Sequence, residues 1–295
     1  AVAVAVAVAV AVVVAVAVLV VFGDIVVVGV AVEVVVREVC VYVCVGGCGG
    51  CGGGVGGCVG GLVVGEVYLA RKTAMGIDPY RDRSEYHGAR ELTTETLRQL
   101  HRAHMLAVPF ENLDIPLGQP IVLSLPSFYN KIVRYRRGGF CYELNGLFGW
   151  LLEQMGFRVV TLSARVFDKG QPGSAFGHMV LMIEIEDRLI ADVGFGESFL
   201  EPLQLEMDTE NIQQGSAYRL TGKGPEKILE RRLDSDWVSQ YAFSLIPRRL
   251  ADFTAMCQQH QTSATSIFTQ KTVCSLATAA DRKSTRLNSS HVKRS

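Results

Sequence analysis

The strongest constraint on the fold lies in Arg136-Arg137-Gly138-Gly139-Phe140-Cys141-Tyr142-Glu143-Leu144-Asn145-Gly146 and the residues after it. Apolar side chains at Leu144, Leu147, Phe148, Leu151, Leu152 and Met155 recur at i, i+3, i+4, i+7, i+8 and i+11, the stripe of an amphipathic helix with one buried face. Gly156 follows in the place of a C-cap. Cys141 therefore stands at the mouth of a helix, behind two glycines that permit a tight turn. A helix N-terminus lowers a thiol pKa and offers free N–H groups to a developing oxyanion. The same placement suits a buried structural cysteine, so the residue alone leaves both readings open.

Composition changes along the chain. Residues 1–74 are mostly Val, Ala and Gly, and they inflate the 49% hydrophobic content of the 295 residues. Five of the eight cysteines (Cys40, Cys44, Cys48, Cys51, Cys58) lie in this leader. The Ala/Val alternation from Ala1 to Val18 fits a membrane-length apolar run, a sticky β-strand, or a translated simple DNA repeat. No basic segment precedes it, and Met75 is the first methionine, so the expected native start is Met75. Cys48-Gly49-Gly50-Cys51 has metal-type spacing but no partner pair or histidine nearby, and is read as compositional. Cys141, Cys257 and Cys274 are too few for a disulfide framework, which fits a reducing cytoplasm. Zero formal net charge gives no sign of a nucleic-acid or acidic-lipid partner.

From Met75 to about residue 165 the pattern is helical. Thr93 or Thr94 can cap a helix whose Leu97, Leu100, His104 and Ala107 share a face. His101 and His104 lack the i, i+4 spacing of a helical metal pair and read as surface or packing histidines. Ser127 to Arg137 reads as a second helix with Phe128, Ile132 and Val133 inward and a basic end. Strands take over afterwards, first in Phe157–Val166. Next, Met179, Leu181, Ile183 and Ile185 alternate with His178, Val180, Met182, Glu184 and Glu186, a strand with one wetter face. Shorter strands are expected near Tyr218–Leu220, Lys227–Leu233 and Val238–Leu245, making a small antiparallel sheet or barrel. Phe268–Leu276 reads as another strand, Cys257 and Cys274 as packing thiols, and Asp281–Ser295 as a foreign or disordered tail.

A cysteine becomes a nucleophile when a base takes its proton and a third group orients that base. His178 and Asp192 are the downstream candidates, although each also suits an ordinary strand position. Four blocks then occur in order: LHRAHMLAVPFENLDI, RGGFCYELNGLF, GHMVLMIEI and ADVGFG. Together they closely resemble the arylamine N-acetyltransferases of bacterial type, over about Met75 to Ala280. The resemblance implies an α+β fold around a cysteine-proteinase-like Cys-His-Asp core. Its parts would be a helical N-terminal domain (75–165), an antiparallel β-barrel (166–250) and a C-terminal α/β lid, truncated here to 251–280. It implies Cys141 as the acyl-accepting nucleophile, His178 as the base and Asp192 as the residue orienting His178. Acetyl-CoA would be the donor and an arylamine, hydrazine or related amine the acceptor, with no metal, nucleic acid or membrane involved. Phe110 and Phe195 would lie near the amine, and Gly194 and Gly196 beside the CoA arm. Glu111 is expected to pair with an arginine such as Arg136.

Other readings of the same triad are a related amide synthase, a hydrolase or transglutaminase-like enzyme, and a catalytically impaired product. The register raises a difficulty. A two-residue hairpin turn at Asp187-Arg188 would set His178 opposite Glu197 and leave Asp192 five positions away, roughly 16 Å at strand rise. A triad would then require a bulge, a sharp bend, or His178 lying before the paired segment.

Overall fold

The computed structural model describes residues 75–196, 198–205, 210–222 and 224–278, together with two strands in the leader. It divides into two compact units, 1–72 and 73–295. In the first, β1 (Ala3–Val8) pairs antiparallel with β2 (Val39–Cys44). The Cys48–Cys51 spacing and the tail from Asp281 lie outside the described residues.

The second unit opens with α1 (Ile77–Arg83) and α2 (Thr94–Ala107). Thr93 caps α2 by accepting from the Thr96 amide, and Leu97, Leu100, His101 and His104 are buried on its inner face. A short β3 (Phe110–Glu111) leads to α3 (Leu125–Tyr129), which runs into a π-turn over Asn130–Arg134. The expected helix thus starts earlier than Ser127, because Ser124 caps it and Pro126 suits its first turn. It ends at Arg134, and Phe128, Ile132 and Val133 point inward as their spacing requires.

Helix α4 (Cys141–Met155) buries almost its whole first three turns. Gly156 ends it in the left-handed conformation at φ 101°, where an L side chain would be strained. The Phe157 amide returns to the Leu152 carbonyl at 2.9 Å, closing the helix end.

One antiparallel sheet follows. Its strands are β4 (Arg158–Asp168), β6 (His178–Glu184), β7 (Arg188–Ala191), β8 (Leu203–Gln204), β9 (Asn211–Gln213), β10 (Ser216–Thr221), β11 (Glu226–Leu233) and β12 (Asp236–Ser244). Their order is β8-β7-β6-β4-β12-β11-β10-β9, with β5 (Gln171–Pro172) paired to β4. The sheet curls around a core that includes Leu162, Val180, Ile190, Phe199, Tyr218, Leu229 and Tyr241, a nearly closed barrel. A second core packs α1 to α4 against the other face, where Met179, Leu181, Ile183, Leu189 and Ala191 point. β6 is therefore buried on both faces rather than half wet, since helices cover one side and the barrel interior the other.

After β12 come a 3₁₀ turn, α5 (Thr254–Thr262) and α6 (Ile267–Gln270). Phe268–Leu276 is thus not one strand; only β13 (Cys274–Ser275) is extended, pairing with β3. Ser266 decides this locally, because its hydroxyl accepts from the Phe268 amide and starts a helical turn.

Candidate active site

Two backbone segments meet just ahead of Cys141. The Glu111 amide donates to the Gly139 carbonyl at 2.8 Å, and the Gly139 amide to the Pro109 carbonyl at 3.3 Å. A Cβ on Gly138 would lie 2.1 Å from the Pro109 oxygen, so this glycine is needed for close approach of β3, while one on Gly139 would meet the Glu143 side chain at 2.9 Å. The two glycines do not supply the tight turn that the sequence suggested. The positive φ falls instead on Arg136, at 52°.

A buried charge cluster holds the loop from below. Lys131 Nζ lies 2.8 Å from carboxylate oxygens of Asp114 and Glu143 and 3.6 Å from Glu111. Arg137 pairs with Glu111 at 2.9 Å, so the partner of Glu111 is Arg137 and not Arg136. The Glu143 carboxylate also accepts from the Phe140 amide at 3.1 Å, satisfying one donor just ahead of the helix. Burial raises the Glu143 carboxyl despite Lys131 beside it.

His178 and Asp192 meet because the hairpin turn is longer than expected. Glu184 pairs with Arg188, and Ile183, Met182 and Leu181 with Leu189, Ile190 and Ala191. Ile185–Asp187 therefore form a three-residue loop, closed by the Ile185 amide donating to the Asp187 carbonyl at 3.1 Å. Continuing this register sets Asp192 across from Val180, on the same face as His178 and one diagonal step away. The expected two-residue turn would have shifted the register by an odd number and sent Asp192 to the opposite face. His178 Nε2–H donates to Asp192 Oδ2 at 2.8 Å, and both residues are buried, 2% and 0% exposed.

Asp192 is held on every side. Its Oδ1 accepts from Asn145 Nδ2 at 2.9 Å and from the Gly194 amide at 3.0 Å. Its own amide donates to His101 Nε2 at 3.1 Å, while His101 Nδ1–H donates to the Leu200 carbonyl at 2.8 Å. Burial pushes the His101 ring down to about 4, which keeps Nε2 unprotonated and able to accept. Burial alone would raise the Asp192 carboxyl; the His178 ring, Asn145 and the Gly194 amide reverse this and hold it below its usual range.

Asn145 did not stand out in the sequence, and His101, read there as a surface or packing histidine, is a buried partner of the Asp192 backbone, although each left a trace. Asn145 is one turn beyond Cys141 and so lies directly behind it on the helix. Its Nδ2 also donates to the Met179 carbonyl at 2.7 Å, and its Oδ1 accepts from the Val193 amide at 2.9 Å. His101 is a polar residue on the buried face of α2, one turn from Leu97, and a buried polar group requires partners.

Cys141 is the first residue of α4 and 3% exposed. Burial raises its thiol well above the usual range, outweighing the Tyr142 amide at the helix mouth, which lowers it. Cys141 and His178 open on one cleft of about 800 Å³, which Phe110, Gly194, Phe195 and Gly196 also line. Phe195 sits edge-on to the His178 ring, 5.2 Å between centroids. A Cβ on Gly194 would come within 2.8 Å of Cys141 Cα and within 2.7 Å of Asn145 Nδ2. Gly196 takes φ 81°. Among the described residues, no group of three or more His, Cys, Asp or Glu is arranged to hold a metal ion. No helix among them is long and apolar enough to cross a membrane.

A thiol and an imidazole sharing one cleft, with a buried carboxylate holding the imidazole from behind, can perform acyl transfer. A family model described as N-acetyltransferase matches residues 93–292 of the chain. The chain belongs to the arylamine N-acetyltransferase family. The pineal gland isozyme NAT-10 of Gallus gallus, an arylamine N-acetyltransferase, is 35% identical over 69% of this chain and 78% of its own length. The arylamine N-acetyltransferase / N-hydroxyarylamine O-acetyltransferase of Salmonella typhimurium is 40% identical over 164 residues, 54% of this chain and 58% of the relative. The structure of the Mycobacterium marinum arylamine N-acetyltransferase in complex with CoA matches at TM-score 0.65 and 34% identity, covering 69% of this chain and 78% of that one. The N-acetyltransferase match extends to residue 292, past Ala280, the expected end of the likeness.

Proposed function

We propose that Cys141, His178 and Asp192 carry acetyl transfer from acetyl-CoA to an arylamine, hydrazine or related amine, through a thioester on Cys141. One observation carries this reading: His178 Nε2 is committed to buried Asp192 at 2.8 Å, leaving Nδ1 free to take a proton in the cleft that Cys141 lines. Because burial holds the thiol up, the thiolate forms as its proton passes to His178. Asp192, already ionised, stabilises the resulting imidazolium.

The thiolate then attacks the acetyl carbonyl of acetyl-CoA. A bond to Cys141 Sγ forms, the bond to the CoA sulfur breaks, and His178 returns a proton to the departing thiolate. The Tyr142 N–H at the helix mouth is the oxyanion donor. In the second half, the amine nitrogen attacks the acetyl-enzyme, Cys141 leaves as thiolate, and His178 takes the amine proton. Phe110 and Phe195 provide apolar walls for an aromatic acceptor, and Gly194 to Gly196 flank the CoA arm. The cleft volume lies within the range of small-molecule sites, and the mycobacterial relative solved with CoA supports acetyl-CoA as the donor. The free thiols of Cys141, Cys257 and Cys274 support a reducing, cytoplasmic setting.

Incubating the full chain with acetyl-CoA, without amine, tests the proposal. A mass gain of one acetyl group on the peptide carrying Cys141 is expected, absent in Cys141→Ala. No adduct on a folded protein would overturn it.

A further inference from the structure

A second histidine enters the cleft without a part in the chemistry above. His260, on α5, lines the same cavity as Cys141 and His178. Its Nε2–H donates to the Gly177 carbonyl at 3.1 Å, immediately before His178. Its ring stacks on Tyr142, the residue after Cys141, with centroids 6.0 Å apart and planes at 22°, and Phe268 meets it edge-on at 5.1 Å. The ring is thus fixed by contacts to the immediate neighbours of both nucleophile and base. With Nε2–H spent on a carbonyl, the neutral tautomer leaves a lone pair on Nδ1, which has no partner among the described residues. Burial, and His178 nearby, hold the ring below its ordinary pKa, consistent with that neutral form.

A primary amine has two N–H bonds. During attack one proton passes to His178, and the other N–H must be satisfied as the nitrogen acquires positive charge. We propose that His260 Nδ1 accepts the second N–H of the incoming amine, fixing the nitrogen against the acetyl carbon and favouring primary over N-alkylated acceptors. This rests on the acetyl-transfer reading above. No proton moves to His260: the C–N bond forms, the C–S bond breaks, and the single transferred proton goes to His178. The first half-reaction offers no N–H to His260, so its effect is confined to the second.

The half-reactions can be measured separately on the full chain. His260→Phe keeps an aromatic ring between Tyr142 and Phe268 but removes both nitrogens. It should form acetyl-enzyme from acetyl-CoA within about twofold of the parent rate, yet transfer the acetyl group to aniline about three- to tenfold more slowly, as expected for one lost hydrogen bond. Transfer to N-methylaniline, whose one N–H goes to His178, should stay unchanged, and His260→Gln, which keeps a donor and an acceptor, should recover part of the aniline rate. His260→Leu removes the nitrogens in a smaller side chain, so a folding defect in one variant does not decide the matter. Equal slowing of both half-reactions, equal slowing of both amines, or an unslowed aniline reaction would overturn the inference. Failure of the parent chain to acetylate at all would instead remove the reading on which it rests, and the inference with it.

Discussion

Gly194→Ala separates two roles that a glycine can play in this cleft. The added Cβ would sit 2.8 Å from both Cys141 Cα and the Cys141 carbonyl oxygen, where ordinary contact begins at 3.4 Å. About 0.6–0.7 Å must therefore be recovered, because the obstructing atoms are backbone at the start of α4, which cannot rotate away, and Asn145 Nδ2 at 2.7 Å, which is held by the Met179 carbonyl and Asp192. Overpacking of this kind costs about 1–3 kcal/mol, or roughly 2–12 °C in melting temperature for a unit of this size. The displacement would fall between Cys141 and the Asp192–Gly194 segment, and a misplacement near 1 Å can reduce rate by about 10²-fold. Single-turnover acetylation by acetyl-CoA, followed by quenched-flow mass spectrometry beside a thermal melt, is the suitable assay. We expect slower acetyl-enzyme formation at saturating acetyl-CoA together with a lower melting temperature. A variant with parent stability and parent saturated rate, but a raised KM for acetyl-CoA, would refute the packing argument and make Gly194 a donor-binding glycine alone.

Asp192→Asn should lower acetyl-enzyme formation by about 10³–10⁴-fold with the fold intact by circular dichroism, since the amide cannot stabilise the His178 imidazolium; a loss under tenfold would contradict the assigned role. Because the folded Asp192 pKa is depressed, its stabilisation is present above the ordinary carboxylate range and is lost as pH falls through the folded value. Urea titrations should therefore show the deficit of Asp192→Asn narrowing from pH 7 towards acid. Lys131→Met leaves Glu111, Asp114 and Glu143 without their shared cation and should destabilise by about 3–5 kcal/mol, read from urea unfolding. Iodoacetamide at neutral pH should label the peptide carrying Cys141 well before that carrying Cys257, because Cys141 shares its cleft with His178, which can take the thiol proton. His178→Ala should abolish that preference.

Much of this architecture can be read locally. The stripe from Leu144 to Met155 and the glycine after it fix α4 and its end, because helix period and C-cap chemistry act over a few residues. The strands at 216–221, 226–233 and 236–244 follow from similarly short patterns. What was not legible depends on several segments meeting. Covering of β6 by helices on one side and barrel on the other erased the half-wet face that its alternation suggested. The closeness of Gly138 to Pro109, and the choice of Arg137 over Arg136 for Glu111, depend on where β3 docks. The family blocks placed Cys141, His178 and Asp192 together before any geometry was known. They did not reveal Asn145 and His101, which fix the carboxylate without standing out in a linear reading.

The three-residue loop Ile185–Asp187 has a consequence for how this chain can vary. It lies six residues, about 20 Å of strand, from His178, at the far end of the hairpin from the cleft. Surface loops at such a distance ordinarily tolerate insertion and deletion. Here the three-residue length fits the register that sets Asp192 on the face of His178, so a residue gained or lost must be absorbed within the loop, since a one-position slip of the strand would send the carboxylate away from the imidazole and turn Leu189 and Ile190 to the wrong sides. The hairpin tip is thus tied to the His178–Asp192 pair through strand register alone, without touching the cleft.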